Sequence, residues 1–407
     1  MTVRRGPNPL LYFILFLPFG ATSGFVTVAL GYLATHQGIS ISAVAALAAT
    51  TLLPQTYKFL WAPVTDALWT RKGWYWTASV VCSLTLTGMG FVPIRQENLG
   101  LLEMLIFVNS VASTFLAMSV EAIMAHATPE AERGRAAAWS QAGNLGGSGI
   151  GGGIGLWLAL HLPQPWMANG LLGAMLLACA IAVAALPEPK KESGALAERG
   201  KQVIKDLRDV VWSRNGALAV ALCFLPMGAG AASGLFSGVA KDWGASAEMV
   251  EWMNGWFSGA VMIVGCLAGG RLSDSMNRKA AYPVAGALLA LVALAAGFAP
   301  RNPVTYATLC VAYSFATGVC YGTFTGFVLE VIGGGAAATK YNTFASLSNF
   351  PIWYMTQIDG WAADKLGPGA MLLVDAMAGA AGIVVLLGVV ALLRTLRPTP
   401  EPAVATE

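Results

Sequence analysis

Residues 58–66 read KFLWAPVTD and end a long apolar run. A related stretch, residues 270–279, reads GRLSDSMNRK and ends a second apolar run in the later part of the chain. Each stretch combines a Gly or Pro, an Asp and nearby basic residues at the point where an apolar segment meets a loop. Two copies of one device predict a membrane protein built from two similar helix bundles that move against each other.

The composition also indicates a membrane protein. Charged residues make up 11% of the chain, apolar residues 56%, and the mean hydropathy is +0.63, whereas a soluble domain carries about 25% charged residues. Backbone groups in lipid must be satisfied within the segment, so apolar blocks of about 20 residues are expected to be helices that cross a core about 30 Å thick. We predict an all-α membrane protein with twelve transmembrane helices. The expected spans are, approximately, 9–34, 42–63, 73–93, 102–126, 136–161, 167–187, 215–239, 247–270, 280–299, 303–330, 340–363 and 369–393.

The distribution of Lys and Arg predicts the orientation, because cytoplasmic loops carry an excess of both. With an N-terminus inside, only Arg95, Lys241, Arg301 and Lys365 fall on the outer side, and Lys58 lies within a span. We therefore expect a multi-pass protein of the bacterial inner membrane with both termini in the cytoplasm.

A single long polar stretch divides the chain. We expect an N-terminal six-helix bundle (1–187), a cytoplasmic linker (188–214), and a C-terminal six-helix bundle with a short cytoplasmic tail (215–407). Within the linker, residues 201–212 place apolar side chains on one helical face and basic ones on much of the other. This pattern is typical of a helix lying on anionic lipid, and a solvated linker helix is nearly as compatible with it.

The two Asp-containing loops have a physical interpretation. An Asp at a helix end can accept hydrogen bonds from the free N–H groups of a neighbouring helix N-terminus and can pair with Arg or Lys. Such contacts could latch a cytoplasmic gate in one state, or they could be static caps. The predicted gate residues are Asp66, Arg71, Arg133, Arg135, Arg271, Asp274 and Arg278.

Two sets of six spans around these loops resemble the major facilitator superfamily. Residues 17–25 (LPFGATSGF), 57–66 (YKFLWAPVTD) and 129–138 (PEAERGRAAA) further resemble the AmpG muropeptide permease and acetyl-CoA transporter family. The resemblance implies two bundles around a central cavity and proton-coupled import, by alternating access, of a polar anionic solute such as a muropeptide-like sugar–peptide.

The chain departs from that family in span four. Glu121 matches a family acid, but the family's preceding Gln-Asp pair falls on Leu116-Ala117, and another acid falls on His126. Short relatives include RhtX/FptX-type siderophore permeases, so a siderophore importer is an alternative. A non-transporting membrane receptor or assembly factor on the same fold is another.

Charged residues inside the spans are the first functional candidates. A charge at the bilayer centre costs about 2.5–3.5 kcal/mol on insertion scales, so such residues face a wet cavity or a partner. We expect Glu121 to carry the coupling proton, with His126 as relay, because a carboxyl in a low-dielectric site can hold and release a proton. Lys58 could bind substrate, act in gating, snorkel towards the interface or form a structural pair with Glu121.

Other polar residues within spans could contact substrate or simply pack between helices. Glu330 is the second-half counterpart of Glu121 by position, and Asp359 and Asp375 are expected at solvated outer helix ends, with an outer-gate role as the alternative. The substrate candidates are Gln55, Tyr57, Thr22, Ser23, Gln141, Asn144, Trp256, Tyr321, Asn349, Tyr354 and Gln357.

Span five is rich in Gly. Spacings such as Gly147 with Gly151 allow close helix approach and are interpreted as a pivot against a helix of the second half, or as tight packing. A phosphate-binding loop is rejected because no strand precedes the Gly residues and no Gly-Lys-Ser/Thr follows them.

No pattern suggests an enzyme. The three His lie on different spans, and the six Cys lie within spans without metal-ligand spacing, as small packing residues do. We expect no cofactor, with the proton gradient as the energy source. The expected partners are a small-molecule substrate and the lipid bilayer, without nucleic acid, and the protein is expected to be a monomer.

Overall fold

The computed structural model describes residues 6–61, 65, 69–129, 132–188, 205, 208, 222–332 and 343–395, and over these residues it is helical without strands. The helices before the linker are α1 (Leu10–His36), α2 (Ile41–Thr56), α3 (Arg71–Met89), α4 (Leu99–Ala127), α5 (Arg133–His161) and α6 (Pro165–Ala185). Residues 201–212, the predicted amphipathic helix, lie outside the described residues apart from two positions.

The remaining helices follow the linker. They are α7, made of the short pieces Ala231–Leu235, Phe236–Val239 and Ala240–Trp243, then α8 (Ala247–Ser275), α9 (Arg278–Phe298), α10 (Pro303–Ile332), α11 (Asn349–Leu366) and α12 (Pro368–Thr395). Seven described helices, α1, α4, α6, α8, α9, α10 and α12, are long and apolar enough to cross a membrane. Seven of the twelve expected spans therefore coincide with helices of this kind, and the count of twelve stays a prediction.

Three helices depart from the regular α-helix that the apolar pattern alone would predict. The regular helix α2 ends at Thr56 and is followed by a 3₁₀ turn over Lys58–Leu60, so the predicted span 42–63 is too long as a helix. α1 and α8 each contain a π-helical turn, Phe25–Leu30 and Glu251–Phe257. π turns recur at functional sites because the extra residue redirects side chains.

Within each half, before and after the linker, the helices pack against one another. α1 lies against α5, α3 against α4 and α6, and in the C-terminal half α8 lies against α10 and α9 against α12. The two halves meet where α2 contacts α11, α5 contacts α8, and α1 contacts α7. The domain boundaries 1–187, 188–214 and 215–407 stay a prediction.

The Gly residues of α5 explain two of these contacts. Gly143, Gly147 and Gly151 lie on the backbone carbonyls of α1, where any Cβ would overlap. Gly149 and Gly153, on the other side of α5, lie against Gly255 and Trp256 of α8. The predicted pivot pair, Gly147 with Gly151, therefore packs within its own half, and the Gly residues that face the second half are offset by two positions.

We call the end of the helix array that carries Arg71, Arg135 and Arg271 the basic end, and the opposite end the distal end. The orientation prediction places the basic end in the cytoplasm.

Candidate functional site

A cavity of about 180 Å³ lies between the two halves. Its walls come from α1, α2 and α5 on one side and from α7, α8, α10 and α11 on the other. Hydroxyl and amide side chains predominate among its polar groups. Those are Ser23, Thr27, Thr51, Ser148, Ser233, Asn254, Ser258, Ser314, Thr317, Tyr321 and Thr356.

The hydroxyl groups differ in what they can still bond. Thr27 and Ser258 donate to carbonyls of their own helices, Ser23 O at 2.9 Å and Asn254 O at 2.7 Å, so their oxygens remain acceptors. The Thr317 hydroxyl is buried and finds no hydrogen-bond partner among the described residues. A buried polar group without a partner is unfavourable, so the Thr317 hydroxyl stays unsatisfied unless a water or a solute reaches it.

Both π turns reach this cavity. Thr27 lies in the π turn of α1, and Asn254 lies in that of α8. Neither residue was predicted as a substrate contact, because a π turn has no simple periodic signature in the sequence. Of the predicted substrate residues, Ser23 and Tyr321 do line the cavity.

The other predicted substrate residues lie away from the cavity wall, and most of them contact other parts of the protein. Thr22 donates to Pro18 O, Asn349 to Ala345 O, and Tyr354 to Phe224 O at 2.8 Å. Asn144 donates to Gln141 Oε1 at 3.4 Å on α5, Trp256 packs on Gly153, and Gln357 is exposed on α11. None of these side chains is part of the cavity wall as the described residues form it.

Residues 55–61, at the start of the KFLWAP stretch and just before it, dock on α4. Trp61 donates from Nε1 to Thr114 Oγ1 at 3.1 Å and stacks on Phe115 with ring centroids 6.2 Å apart. Tyr57 meets the Trp61 ring edge-on at 4.9 Å, and Gln55 donates to Ser113 Oγ at 3.3 Å. These contacts hold the turn after α2 firmly against α4.

Lys58 and Glu121 form an ion pair. Lys58 Nζ lies 3.4 Å from Glu121 Oε1, with 13% and 27% of the respective side chains exposed. The pair joins the turn after α2 to α4, which is the structural alternative weighed from the sequence. His126 is exposed near the end of α4, and its Nδ1 is 2.8 Å from Ala122 O.

Residues of the predicted gate lie at the basic end. Arg71 donates from Nη1 to Thr65 Oγ1 at 2.8 Å, and Glu188 accepts from the Arg71 backbone N–H at 2.6 Å, so Glu188 caps α3 within one half. Arg135, Arg271 and Asp274 are exposed. Asp66 lies outside the described residues, as do the side chains of Arg133, Arg278 and Glu330.

The predicted gate stays a prediction, and the described residues show a junction of the two halves at the distal end. Asp364 on α11 accepts from the backbone N–H groups of Ile41 and Ser42 at the start of α2, both at 2.8 Å. Ser237 of α7 donates to Thr27 O of α1. An Asp bonded to a helix N-terminus is the kind of contact that was expected at the basic end, and here it lies at the distal end. Asp364 was not among the predicted residues, because its only signal in the sequence is an acid near a helix end.

The prediction of solvated ends for Asp359 and Asp375 is wrong. Asp359 is fully buried and Asp375 is 7% exposed. Tyr313 of α10 donates to Asp375 Oδ2 at 2.7 Å. Counting residues to the loop had placed both acids near water, but α11 packs on α2, α12 packs on α9 and α11, and these contacts exclude it.

Comparisons with known proteins agree with this architecture. The family profile described as Major Facilitator Superfamily matches residues 11–352. The chain is 25% identical over 355 residues to the anhydromuropeptide permease of Escherichia coli (strain K12), covering 83% of this chain and 71% of that protein.

Solved structures of transporters share the fold. A bacterial homologue of the human lysosomal transporter Spinster, in an inward-facing and unoccupied conformation, superposes with a TM-score of 0.72 at 14% identity, covering 96% of this chain and 98% of that one. A D-xylose–proton symporter superposes with a TM-score of 0.71 at 15% identity, covering 93% and 96%.

Proposed function

Because this chain belongs to the major facilitator superfamily, we propose that it is a secondary active transporter that imports a muropeptide-like sugar–peptide with protons. The observation that carries the proposal is the hydroxyl-lined cavity between the halves, next to a distal end that the Asp364 contacts join. Such a cavity needs only relative motion of the halves to become accessible from either side.

The chemistry of the wall supports a sugar–peptide. The described lining contains hydroxyl and amide groups and no charged side chain, and sugars and peptide amides are bound by such donors and acceptors. Recognition therefore rests on hydrogen bonds, and an anionic group of the solute would be bound outside this lining. The similarity to the anhydromuropeptide permease supports the same solute class.

Proton coupling has a candidate group on α4. Protonation of Glu121 would remove the negative partner of Lys58 and release the turn after α2 from α4, a local charge change of the kind that biases a two-state element. This keeps Glu121 as the coupling carboxyl of the first half and Lys58 as its gating partner, while His126 remains a relay candidate near the basic end.

Uptake of radiolabelled anhydromuropeptide into proteoliposomes, with an imposed inward proton gradient, tests the function. We expect accumulation that a protonophore abolishes. Thr317→Val keeps the shape of the side chain and should raise KM, since it removes the unpartnered wall hydroxyl. Thr323→Val on the same helix is the matched control, because its hydroxyl already donates to Val319 O at 2.9 Å. Uptake of a ferric siderophore with none of anhydromuropeptide would contradict this solute class, and no transport of either would favour a receptor.

A further inference from the structure

Two carboxyl groups lie buried between α11, α12 and α10. Asp359 is 0% exposed and Asp375 is 7% exposed. The two helices that carry them, α11 and α12, pack against each other. Each carboxyl lies seven residues from an end of its helix, α11 ending at Leu366 and α12 beginning at Pro368, which at about 1.5 Å per residue is roughly 10 Å from the distal end.

Their polar partners are unevenly distributed. Tyr313 donates to one oxygen of Asp375, while both oxygens of Asp359 are buried and have no hydrogen-bond partner among the described residues. A fully buried carboxyl with two free oxygens is an open coordination position.

The surroundings supply no compensating charge. Among the described residues neither carboxyl is in an ion pair, and α2, which packs on α11, has no ionisable side chain over Ile41–Thr56. The neighbouring elements do carry ionisable groups. On α10 these include Tyr306, Cys310, Tyr313, Cys320 and Tyr321, and α9 and α11 carry Tyr282 and Tyr354. Cys223 and the exposed Lys241 and Asp242 lie in or before α7, and Asp364, Lys365 and Arg301 lie at the distal end.

Two like charges in a low-dielectric site cannot both stay ionised without a cation. The site also adjoins the cavity, since Ser314 next to Tyr313 and Thr356 one turn before Asp359 are both wall residues. α11 carries the site between that wall and Asp364, which contacts α2.

We propose that Asp359 and Asp375 form a monovalent-cation site, occupied by a proton shared between the carboxyls or by Na⁺ between them, and that its occupancy is coupled to solute in the adjacent cavity. The cation-binding part stands on the buried pair alone, and the coupling part rests on the transport function proposed above.

Infrared difference spectroscopy on the purified full-length protein tests binding without transport. Between alkaline and acid buffer in choline chloride, the wild type should show the C=O band of a protonated carboxyl, and Asp359→Asn and Asp375→Asn should lose it. Glu97→Gln, an exposed surface carboxylate 70% accessible, should keep the spectrum of the wild type. If NaCl replaces choline and suppresses the band, the cation is Na⁺; if NaCl changes nothing, it is a proton.

A third variant, Tyr313→Phe, distinguishes loss of the site from misfolding. It retains the ring and removes only the hydrogen bond to Asp375. It should shift the pH midpoint of the band, which a merely packing role would not do. A band unchanged in both Asp variants, with no effect of NaCl on the spectrum, would overturn the site.

Proteoliposome transport separates coupling from binding. Asp375→Asn should retain counterflow of radiolabelled anhydromuropeptide but lose gradient-driven accumulation by about tenfold or more, since a cation moving through the membrane potential supplies that drive. Wild-type accumulation in this variant would overturn the coupling. Absence of any transport by the wild type would instead contradict the proposed function and leave the infrared result standing.

Discussion

The carboxylate of Asp364 accepts the backbone N–H of Ser42 at 2.8 Å and that of Ile41 at the same distance. These are N–H groups of the first turn of α2, which have no partner within the helix and lie at its positive end. Ser40 accepts from the next one, Ala43, at 3.2 Å. One residue of the C-terminal half thus completes the cap of a helix in the N-terminal half, and this joint would have to break for the halves to separate at the distal end.

Replacing Asp364 should loosen the distal end. Hydrogen bonds to a charged group contribute about 1.5–3 kcal/mol, so Asp364→Ala should raise the open population by about tenfold or more. Hydrogen–deuterium exchange of a peptide covering residues 39–47 measures this directly, because Ile41 and Ser42 lose their acceptor. We expect faster exchange there and a smaller effect for Asp364→Asn, which keeps one acceptor oxygen.

Asp242→Ala is the control for that experiment, since Asp242 is an exposed acid on a turn of α7 at the same end. It should leave exchange at residues 39–47 unchanged. Equal exchange in Asp364→Ala and the wild type would show that the cap does not hold the distal end.

The Lys58–Glu121 pair should show energetic coupling. Glu121→Gln or Lys58→Met leaves a partly buried charge unpaired, and each should lower stability by about 1–3 kcal/mol, below the range for fully buried pairs. The double variant should lose less than the sum of the two, with a coupling energy of about 0.5–3 kcal/mol. Thermal unfolding in detergent of the wild type, the two single variants and the double variant gives this coupling energy.

The same Glu121→Gln protein tests proton coupling. If Glu121 carries the coupling proton, gradient-driven accumulation falls while counterflow persists. An accumulation ratio equal to that of the wild type would mean that the pair is structural only.

Much of this fold could be predicted from the sequence because lipid imposes simple rules. Apolar blocks must be helices, and these helices begin or end within a few residues of the expected positions. Lys58 and Glu121 could be recognised because isolated charges in apolar blocks need partners. Ser23 and Tyr321 were identified as polar residues on spans that line the cavity.

The rest depends on packing that no linear pattern records. The depth of Asp359 and Asp375 follows from how α2 covers α11 and how α9 covers α12, not from the number of residues to the next loop. The direction of Gly147 differs from that of Gly149 by a rotation of about 200° around the helix axis at 3.6 residues per turn, so spacing alone could not say which face meets the second half.

Trp61 should contribute to stability through two separable contacts. Trp61→Phe removes the hydrogen bond to Thr114 and should lower stability by about 1 kcal/mol. Trp61→Ala also removes the stacking on Phe115 and should cost about 2–4 kcal/mol, because the side chain is only partly buried. Thr114→Val removes the acceptor and also the hydrogen bond from Thr114 Oγ1 to Val111 O, so it should cost at least as much as Trp61→Phe. Thermal unfolding in detergent measures the stability of each variant. A Trp61→Ala protein as stable as Trp61→Phe would contradict the stacking contribution.

The two faces of α5 should respond differently to a single methyl group. Gly147→Ala places Cβ against the carbonyl of Leu17 on α1, so it should lower stability, with a smaller yield of folded protein. Gly149→Ala places Cβ 2.9 Å from Gly255 O on α8, which pushes the two halves apart and should reduce the transport rate while the yield is retained. Gly100→Ala, where a Cβ meets nothing within 4 Å, is the control for both. Uptake by Gly149→Ala at the wild-type rate, or full stability of Gly147→Ala, would contradict the assignment of α5's two faces.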